Sequence, residues 1–275
     1  MPTSLETRIT LCFDRLKREG NCGLIAYVTV GDPSPERTVG IVKALEQGGV
    51  DIIELGVPFS DPIADGPVIQ LASERALRAG TTLAKVLEIL RELRRESEIP
   101  VVIFSYLNPV LRYGFERFAA DAADAGADGA LLTDLNVEAA GPYLAEMHKR
   151  RLDAIFLVSQ TTADERIGLL SQSSSGFVYL VSRAGVTGTR EALSDQALPL
   201  VQRVRAATSL PVAVGFGLSR REHMMALGPH VDAAVVGSAI VRLIAEQSDG
   251  PNLEAELRTF AADLKSGLVA PAVAR

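Results

Sequence analysis

Short apolar runs alternate with amphipathic stretches along this chain. The runs are rich in Val, Ile and Leu, and most lack the alternation of apolar and polar residues that marks a half-exposed strand. We therefore predict parallel strands that are covered on both faces. Eight are predicted: Gly23–Val30, Val50–Leu55, Pro100–Tyr106, Asp128–Thr133, Asp153–Val158, Gly176–Ser182, Pro211–Gly215 and Asp232–Gly237.

The stretches between the strands carry apolar residues at helical spacing, as in Val39, Val42 and Leu45. An additional helix, Leu5–Arg18, precedes the first strand and is expected to cap the closed end of a barrel. The other predicted helices are Pro35–Gly48, Thr82–Glu96, Phe115–Ala125, Val137–Arg151, Asp164–Gln172, Ala197–Ala207, Arg220–Leu227, Ala239–Glu246 and Leu253–Leu268.

Eight strand–helix units in about 250 residues favour an α/β fold of the (β/α)₈ (TIM) barrel type with an added N-terminal helix. An open doubly wound sheet stays the alternative, because periodicity does not prove closure. No linker or break in composition divides the chain, so residues 1–275 are predicted to form one domain. Two strand–helix connections are long, Gly56 to about Pro67 and Ala184 to about Asp195, and the second is expected to move as a lid.

Composition and charge exclude several functions. The net charge is −6, and the longest basic cluster is Lys149–Arg151, so neither nucleic acid nor an anionic membrane is an expected partner. Two cysteines without metal spacing are expected to be free thiols. The N-terminus lacks a signal-peptide pattern and no apolar run reaches the roughly 18 residues of a membrane span, so a cytoplasmic protein is predicted. The histidines, His148, His223 and His230, are expected at the solvated surface away from any catalytic face.

Two carboxylates are the strongest candidates for chemistry. Glu54 closes an apolar strand, where burial should raise its pKa toward neutrality and suit it to both give and take a proton. Asp65 lies in a loop braced by Pro and Gly, where it is expected to stay ionised and to stabilise a developing positive charge. Tyr179 could assist in proton transfer. A Mg²⁺ ion held by Glu54, Asp61 and Asp65 is a weaker alternative, and the chain has no His/Cys set for zinc.

A phosphate site is predicted after the last two strands. Gly215 ends the seventh strand and Gly217 follows it, while Gly237 and Ser238 end the eighth and open a helix. Glycines allow backbone N–H groups to approach an anion, and a helix N-terminus adds its dipole. Gly188 of the lid could add a third contact. The third glycine of a dinucleotide-binding fingerprint is missing, so that interpretation is rejected.

Apolar residues near the carboxyl ends of the strands would line the barrel mouth if it holds a flat apolar ligand. These residues are Tyr27, Phe104, Tyr106, Leu131, Leu157, Tyr179 and Phe216.

Six segments, in order, resemble the tryptophan synthase alpha subunit family, and the resemblance extends from about Gly23 to about Leu268. They are Tyr27–Pro33, Glu54–Gln70, Tyr106–Pro109, Tyr179–Gly188, Gly215–Gly217 and Gly237–Val241. The resemblance implies a (β/α)₈ lyase that cleaves indole-3-glycerol phosphate by retro-aldol chemistry to indole and glyceraldehyde 3-phosphate.

The resemblance also implies roles for individual residues. Glu54 matches the residue that protonates indole C3 and helps to deprotonate the neighbouring glycerol hydroxyl, and Tyr179 matches the residue that supports it. Asp65 matches the residue that holds the indole N–H and stabilises the indoleninium cation, and Thr187 the lid residue that contacts this aspartate. Positions matching the phosphate site are Gly188, Phe216, Gly217, Gly237 and Ser238.

A partner is implied as well: a beta subunit that carries pyridoxal phosphate and receives indole in an alpha2-beta2 complex, whereas this chain itself should bind no organic cofactor. Asp61, Asn108 and Pro109 match the contact region. Asn136 stands where the family often has proline, which bears more on communication between subunits than on the chemistry. Tyr27 stands where phenylalanine is common.

Three other functions stay open at this point. A free-standing indole-3-glycerol phosphate lyase needs the same two acids and would release indole to solution. A different phosphate-binding barrel, such as a sugar-phosphate isomerase, would not turn over the indole substrate. A regulatory barrel without activity is disfavoured, because it has no use for a buried Glu54.

Overall fold

The computed structural model describes residues 6–181, 190–215, 217–248 and 250–268. Within them, nine parallel strands form one sheet in the order β5-β4-β3-β2-β1-β9-β8-β7-β6. The strands are β1 (Gly23–Thr29), β2 (Ile52–Gly56), β3 (Val101–Ser105), β4 (Gly129–Leu132), β5 (Asp153–Ile155), β6 (Leu157–Ser159), β7 (Val178–Val181), β8 (Val212–Gly215) and β9 (Ala233–Val236).

The sheet closes into a barrel through one strand that is interrupted at a single residue and so counts as both β5 and β6. β5 pairs with β4, β6 pairs with β7, and only Phe156 separates them along the chain. The two ends of the strand order are therefore halves of a single strand, the predicted Asp153–Val158. This arrangement confirms the predicted barrel and excludes the open doubly wound sheet, in which the edge strands would lie far apart. That residues 1–275 form one domain stays a prediction.

Helices surround the barrel after nearly every strand. They are α1 (Arg8–Glu19), α2 (Thr38–Gln47), α3 (Pro67–Arg78), α4 (Leu83–Leu93), α5 (Leu107–Tyr113), α6 (Phe115–Ala125), α7 (Gly141–Lys149), α8 (Asp164–Ser173), α9 (Arg190–Ala207), α10 (Arg221–Leu227), α11 (Ser238–Glu246) and α12 (Leu253–Ser266). Short 3₁₀ turns occupy Pro35–Arg37, Val137–Ala139 and Gly228–His230. No helix in the described ranges is both long and apolar enough to cross a membrane.

Two helices were not predicted, and one begins earlier than expected. The buried face of α3 consists of the small residues Ala72, Ser73 and Ala76, while Leu71 and Leu77 on the same helix are exposed, so its apolar pattern is misleading. Helix α5 has only seven residues, too few for a periodic pattern. The long connection expected to reach Asp195 ends before Arg190, where α9 begins. The rest of that connection, residues 182–189, lies outside the described residues.

The N-terminal helix caps the barrel interior, as predicted. Thr7 begins α1 with a capping box shared with Thr10, and Gly20 ends the helix with a left-handed φ of 68°. The apolar face of α1 packs into the barrel lumen together with inward-facing side chains of the strands. That face consists of Ile9, Cys12, Phe13 and Leu16. This end of the barrel is therefore filled, and a ligand must enter from the other end.

Aspartates bracket neighbouring strands at the filled end. In three places, a carboxylate that lies just before one strand accepts a hydrogen bond from a backbone N–H at the start of the strand that comes before it in the chain and pairs with it. The pairs are Asp51 with Leu24 (2.9 Å), Asp128 with Val101 (2.8 Å) and Asp232 with Val212 (2.8 Å). Each aspartate also meets a cation, namely Lys265, Arg94 and Arg205 respectively. These charge-assisted contacts fix the strand register at the end remote from the cavity described below.

Candidate active site

One cavity of about 410 Å³ opens at the carboxyl ends of the strands, the end at which barrel enzymes build their sites. It combines residues from β1, β2, β3, β7, β8 and β9 with residues from α3 and α11. Its lining consists of Tyr27, Glu54, Asp65, Ile69, Phe104, Tyr179, Gly215, Gly217, Leu218, Ser219, Val235, Gly237, Ser238, Ala239 and Arg242. Most of the residues predicted for catalysis and ligand binding therefore share one space.

Strand periodicity places the catalytic candidates in the barrel interior. Ile52 packs in the interior core while Ile53 and Leu55 face the surrounding helices, so Glu54 lies on the same face as Ile52. The same relation holds for Phe177, just before β7, and Tyr179 on β7. On β1, β2, β3, β8 and β9, an interior residue thus fills the capped end, and the residue two positions later lines the cavity.

Glu54 is a fully buried carboxyl group without a hydrogen-bond partner on either oxygen among the described residues. Burial raises its pKa to about 8. This agrees with the direction expected from the sequence, and its cause is desolvation of the charged form. An unpartnered buried carboxyl group destabilises a fold, so its position at the cavity wall points to a function. At pH 7 it holds a proton that it can donate.

Asp65 belongs to the loop between β2 and α3 and is partly buried. The Tyr106 hydroxyl donates to its Oδ2 (3.1 Å) and accepts from the backbone N–H of Ala64 (2.9 Å), so Tyr106 fixes the loop as well as the carboxylate. Burial raises the pKa of Asp65 to about 6, while the hydrogen bond from Tyr106 lowers it. Asp65 is therefore mostly ionised at pH 7, but its surroundings are drier than the polar loop that the sequence indicated.

The wall next to Glu54 is aromatic. Tyr27 pairs with Glu54 in the β1–β2 register, and its ring packs edge-on against Phe104 with centroids 5.2 Å apart. Gly56 makes room for this ring, because a Cβ atom at Gly56 would lie 2.2 Å from the Tyr27 hydroxyl oxygen. Ile69 of α3 extends the wall. These side chains form an apolar surface that suits a flat ring.

Tyr179 lies on β7, which β9 and β8 separate from β1 in the strand order, and the residue is 8% exposed. Gly215 on the neighbouring strand leaves room for it, because a Cβ atom there would lie 2.7 Å from the Tyr179 hydroxyl oxygen. Burial raises the pKa of Tyr179 well above its usual value, with the charge of Glu54 as the next cause. The hydroxyl therefore stays protonated at physiological pH and can donate a hydrogen bond.

The glycine-rich end of the cavity has the features of an anion site. Gly237 precedes α11, and Ser238 is its first residue. The N-terminus of this helix, where backbone N–H groups have no partner within the helix, therefore lies at the cavity. Gly217, with a left-handed φ of 67°, turns the loop after β8 toward the same space. Gly188, Thr187 and Phe216, which were also predicted here, lie outside the described residues.

Some predictions about individual residues are corrected. Leu131 is fully buried in the barrel core and is absent from the cavity lining. His223, expected at the surface, is 8% exposed, and its Nδ1 accepts a hydrogen bond from the backbone N–H of Ser219 (3.2 Å), which fixes the loop after β8. His148 and His230 are exposed, as predicted.

The residues predicted for a partner lie outside the cavity. Asn108 and Pro109 line one surface cleft, with Phe59 and Leu77, and Asp61 lines an adjoining cleft that shares these last two residues. In the described parts of the chain, no three His, Cys, Asp or Glu side chains come together as a metal site, so the grouping of Glu54, Asp61 and Asp65 around Mg²⁺ has no support.

Sequence reasoning missed Arg242, which lines the cavity from α11. The available signal was its spacing: Arg242 follows Ser238 by four residues on one helix, so both lie on the same face. Tyr106 was expected as an apolar lining residue, whereas its hydroxyl contacts Asp65.

The fold is a (β/α)₈ barrel, and its cavity lies at the end where barrel enzymes build their sites. The family model of the tryptophan synthase alpha chain matches residues 13–268. A tryptophan synthase alpha chain of Solibacter usitatus (strain Ellin6076) is 60% identical over 266 residues, which cover 97% of this chain and 100% of the relative. This chain therefore belongs to the tryptophan synthase alpha chain family.

Solved structures agree with this assignment. Tryptophan synthase subunit alpha from Legionella pneumophila str. Paris superposes with a TM-score of 0.88 at 35% identity, covering 95% of this chain and 98% of that one. A ligand-free tryptophan synthase structure from M. tuberculosis superposes with a TM-score of 0.87 at 35% identity, covering 96% of this chain and 100% of that one. The alpha-subunit role is thus favoured over a free-standing lyase.

Proposed function

We propose that this chain cleaves indole-3-glycerol phosphate to indole and glyceraldehyde 3-phosphate, as a carbon–carbon lyase. One observation carries the proposal: a single cavity joins a buried unpartnered carboxyl group, a second carboxylate, an aromatic wall and a glycine-rich helix start. These are the groups that retro-aldol cleavage of an indole with a phosphorylated side chain requires. Membership of the alpha chain family supports the same reaction.

Glu54 moves both protons of the reaction. Its carboxyl group, neutral at pH 7 because burial raises its pKa to about 8, donates a proton to indole C3. The resulting carboxylate takes the proton of the hydroxyl on the adjacent side-chain carbon. That carbon becomes the aldehyde carbonyl as the bond to C3 breaks, and the bonding electrons return to the ring. Glu54 ends the cycle protonated, so no other proton donor is consumed.

Asp65 balances the charge that appears between these two steps. Protonation at C3 turns the ring into an indoleninium cation with its charge at nitrogen. An ionised Asp65 that accepts a hydrogen bond from this N–H stabilises the cation. Tyr106 holds the carboxylate in place through its hydroxyl group. Tyr179, protonated at physiological pH, would donate to the carboxylate form of Glu54.

The remaining groups position the substrate. The aromatic wall of Tyr27 and Phe104 receives the indole ring, and the backbone N–H groups at Gly217, Gly237 and Ser238 receive the phosphate. Binding both ends fixes the scissile bond next to Glu54. On the family resemblance, Thr187, Gly188 and Phe216 would complete the site.

We also propose that the chain works with a beta subunit in an alpha2-beta2 complex in the cytoplasm. The two clefts around Asp61, Asn108 and Pro109 support this interface, because exposed apolar side chains surround them. Ile63, which lines the cleft of Asp61, is 86% exposed, and Leu77, which lines both clefts, is 37% exposed. Apolar groups exposed together on one face are typical of protein interfaces. Pyridoxal phosphate is expected in the beta subunit, and no organic cofactor in this chain.

The proposal is tested with the purified chain and indole-3-glycerol phosphate, by following glyceraldehyde 3-phosphate in a coupled oxidation. We expect slow cleavage by the chain alone and a large rate gain when the beta subunit of its own organism is added. Full activity alone, with no gain, would support the free-standing lyase. Absence of cleavage under both conditions would promote another phosphate-binding barrel. Glycerol phosphate soaked into crystals should give density at the start of α11.

The two shifted carboxyl groups predict a bell-shaped pH dependence of kcat/KM. Protonation of Asp65 below its pKa of about 6 removes the anion, and ionisation of Glu54 above its pKa of about 8 removes the acid. Activity should therefore be highest between these values and fall on both sides. Tyr27 and Tyr179 do not contribute, because burial raises their pKa values above the usual one.

Tyr106→Phe is the matched control for this pH profile. Loss of the hydroxyl removes the hydrogen bond that lowers the pKa of Asp65, so the acid limb should move to higher pH while the alkaline limb stays in place. The substrate phosphate also titrates near pH 6, but its pKa is the same for both proteins. An acid limb that does not move in this variant would contradict the assignment to Asp65.

A further inference from the structure

Among the described residues that line the cavity, Arg242 alone carries a positive charge, and the proposed chemistry does not use it. It lies on α11, is exposed, and follows Ser238 by four residues and Ala239 by three. All three line the cavity, so this face of α11 continues from the helix start along the cavity rim. A long side chain from this position reaches along the rim.

The charges of the cavity make this position informative. Its described lining contains two acids, Glu54 and Asp65, and Arg242 is the single Arg, Lys or His among the described lining residues. A phosphate dianion entering such a cavity is repelled by Asp65 and has only the helix dipole in its favour without a cation. The whole chain, with a net charge of −6, adds no general attraction.

Arg242 also has no structural duty among the described residues. It makes no ion pair or hydrogen bond with them, whereas Arg37, Arg75 and Arg94 each hold an acid of a neighbouring element. Its guanidinium group is therefore free of protein partners in this part of the chain. A planar guanidinium group binds two phosphate oxygens at once, which an ammonium group does not do.

We propose that Arg242 binds the substrate phosphate and sets the preference for phosphorylated over unphosphorylated indole glycerol. The inference rests on the proposed function, because it assumes that the phosphate lies at the start of α11. The backbone N–H groups of Gly237 and Ser238 orient the phosphate, and Arg242 supplies the charge that they lack. The guanidinium group stays far from the scissile bond, so it stabilises the bound substrate and the transition state equally.

Arg242→Ala tests the inference through the separation of KM from kcat. We expect KM for indole-3-glycerol phosphate to rise about 10- to 30-fold, the effect of losing a hydrogen bond to a charged group, while kcat changes less than about twofold. The Kd of glycerol phosphate, from calorimetry, should rise by the same factor, and the Kd of indole should not change. Arg242→Lys should recover part of the loss.

The unphosphorylated substrate provides the sharpest comparison. Indole-3-glycerol should be a poor substrate of the unchanged protein, and Arg242→Ala should not make it worse, because the lost contact is absent from this substrate. Arg258→Ala is the matched control: Arg258 is also exposed on a helix, has no ion pair among the described residues, and lies away from the cavity on α12. It should leave KM and both Kd values unchanged.

The outcomes separate the inference from the proposed function. If Arg242→Ala leaves KM and the Kd of glycerol phosphate within about twofold, or if it penalises both substrates equally, the role of Arg242 is overturned while the lyase activity stands. If the unchanged protein does not cleave the indole substrate, the proposed function fails. Glycerol phosphate binding then tests Arg242 independently. Circular dichroism shows whether Arg242→Ala is folded, and partial recovery in Arg242→Lys shows that the loss comes from the missing charge.

Discussion

Replacement of Glu54 by glutamine is expected to lower kcat by about 10³- to 10⁴-fold, because one side chain serves as both acid and base and glutamine serves as neither. Glu54 is fully buried, and no other carboxyl group that lines the described cavity has a pKa raised to about 8. Glycerol phosphate should bind unchanged, since its site lies at Gly217, Gly237 and Ser238. The measurement is single-turnover cleavage with a parallel calorimetric titration.

The same variant should not be less stable at neutral pH. The pKa of Glu54 is raised from 4.5 to about 8 by folding, so the folded protein holds a proton that the unfolded chain releases. This difference opposes folding increasingly as the pH rises from 4.5 to 8 and is constant above that range. The free energy of unfolding of Glu54→Gln, minus that of the unchanged protein, should therefore increase as the pH rises over this range. Urea titrations at several pH values measure this difference.

Glu116→Gln is the control, because Glu116 is exposed on α6 and lies outside the cavity. It should leave kcat unchanged. If Glu54→Gln keeps more than about a tenth of the activity, the proton-transfer role is wrong. A loss of activity together with a loss of glycerol phosphate binding would indicate a disturbed cavity instead.

Replacement of Asp65 by asparagine is expected to lower kcat by about 10²- to 10³-fold, the range found when a group that stabilises a developing charge is removed. Asparagine keeps an oxygen that can accept the indole N–H, so the variant tests the negative charge and not the hydrogen bond. Substrate binding should weaken little, because the free substrate ring is neutral. Steady-state cleavage by the chain alone is the measurement.

Asp61→Asn is the matched control in the same loop. Asp61 is exposed, lies four residues before Asp65 and lines a surface cleft instead of the cavity. It should leave cleavage by the chain alone unchanged and reduce the gain on adding the beta subunit. Equal losses in both variants would mean that the loop as a whole, and not the charge of Asp65, supports the reaction. A normal rate for Asp65→Asn would contradict its role.

The barrel could be predicted because most of the strands are apolar along nearly their whole length, and parallel strands covered on both faces have this signature. Periodicity then placed Glu54 and Tyr179 at the carboxyl ends. The break at Phe156 could not be predicted, because it depends on which strands β5 and β6 meet. Helix α3 was missed because small residues form its buried face.

The candidate site was predictable where one segment carries the chemistry, as in the loop of Asp65. It was not predictable where residues distant in sequence decide the surroundings. Tyr106, 41 positions from Asp65, donates the hydrogen bond that opposes the effect of burial on its pKa. The burial of His223 likewise depends on tertiary packing. Arg242 was available from its helical spacing to Ser238, but an arginine on a surface helix has no distinctive pattern alone.

The close approach of Tyr27 to Gly56 restricts how this protein can change over evolutionary time. The two residues lie on neighbouring strands, and any larger residue at position 56 would meet the Tyr27 ring. A larger residue at position 56 is therefore tolerated only after the residue at position 27 has become smaller. In the reverse order, the intermediate protein has a steric clash between these two positions. The order in which mutations occur is thus restricted at this wall, and selection for a wider ring pocket must begin at Tyr27.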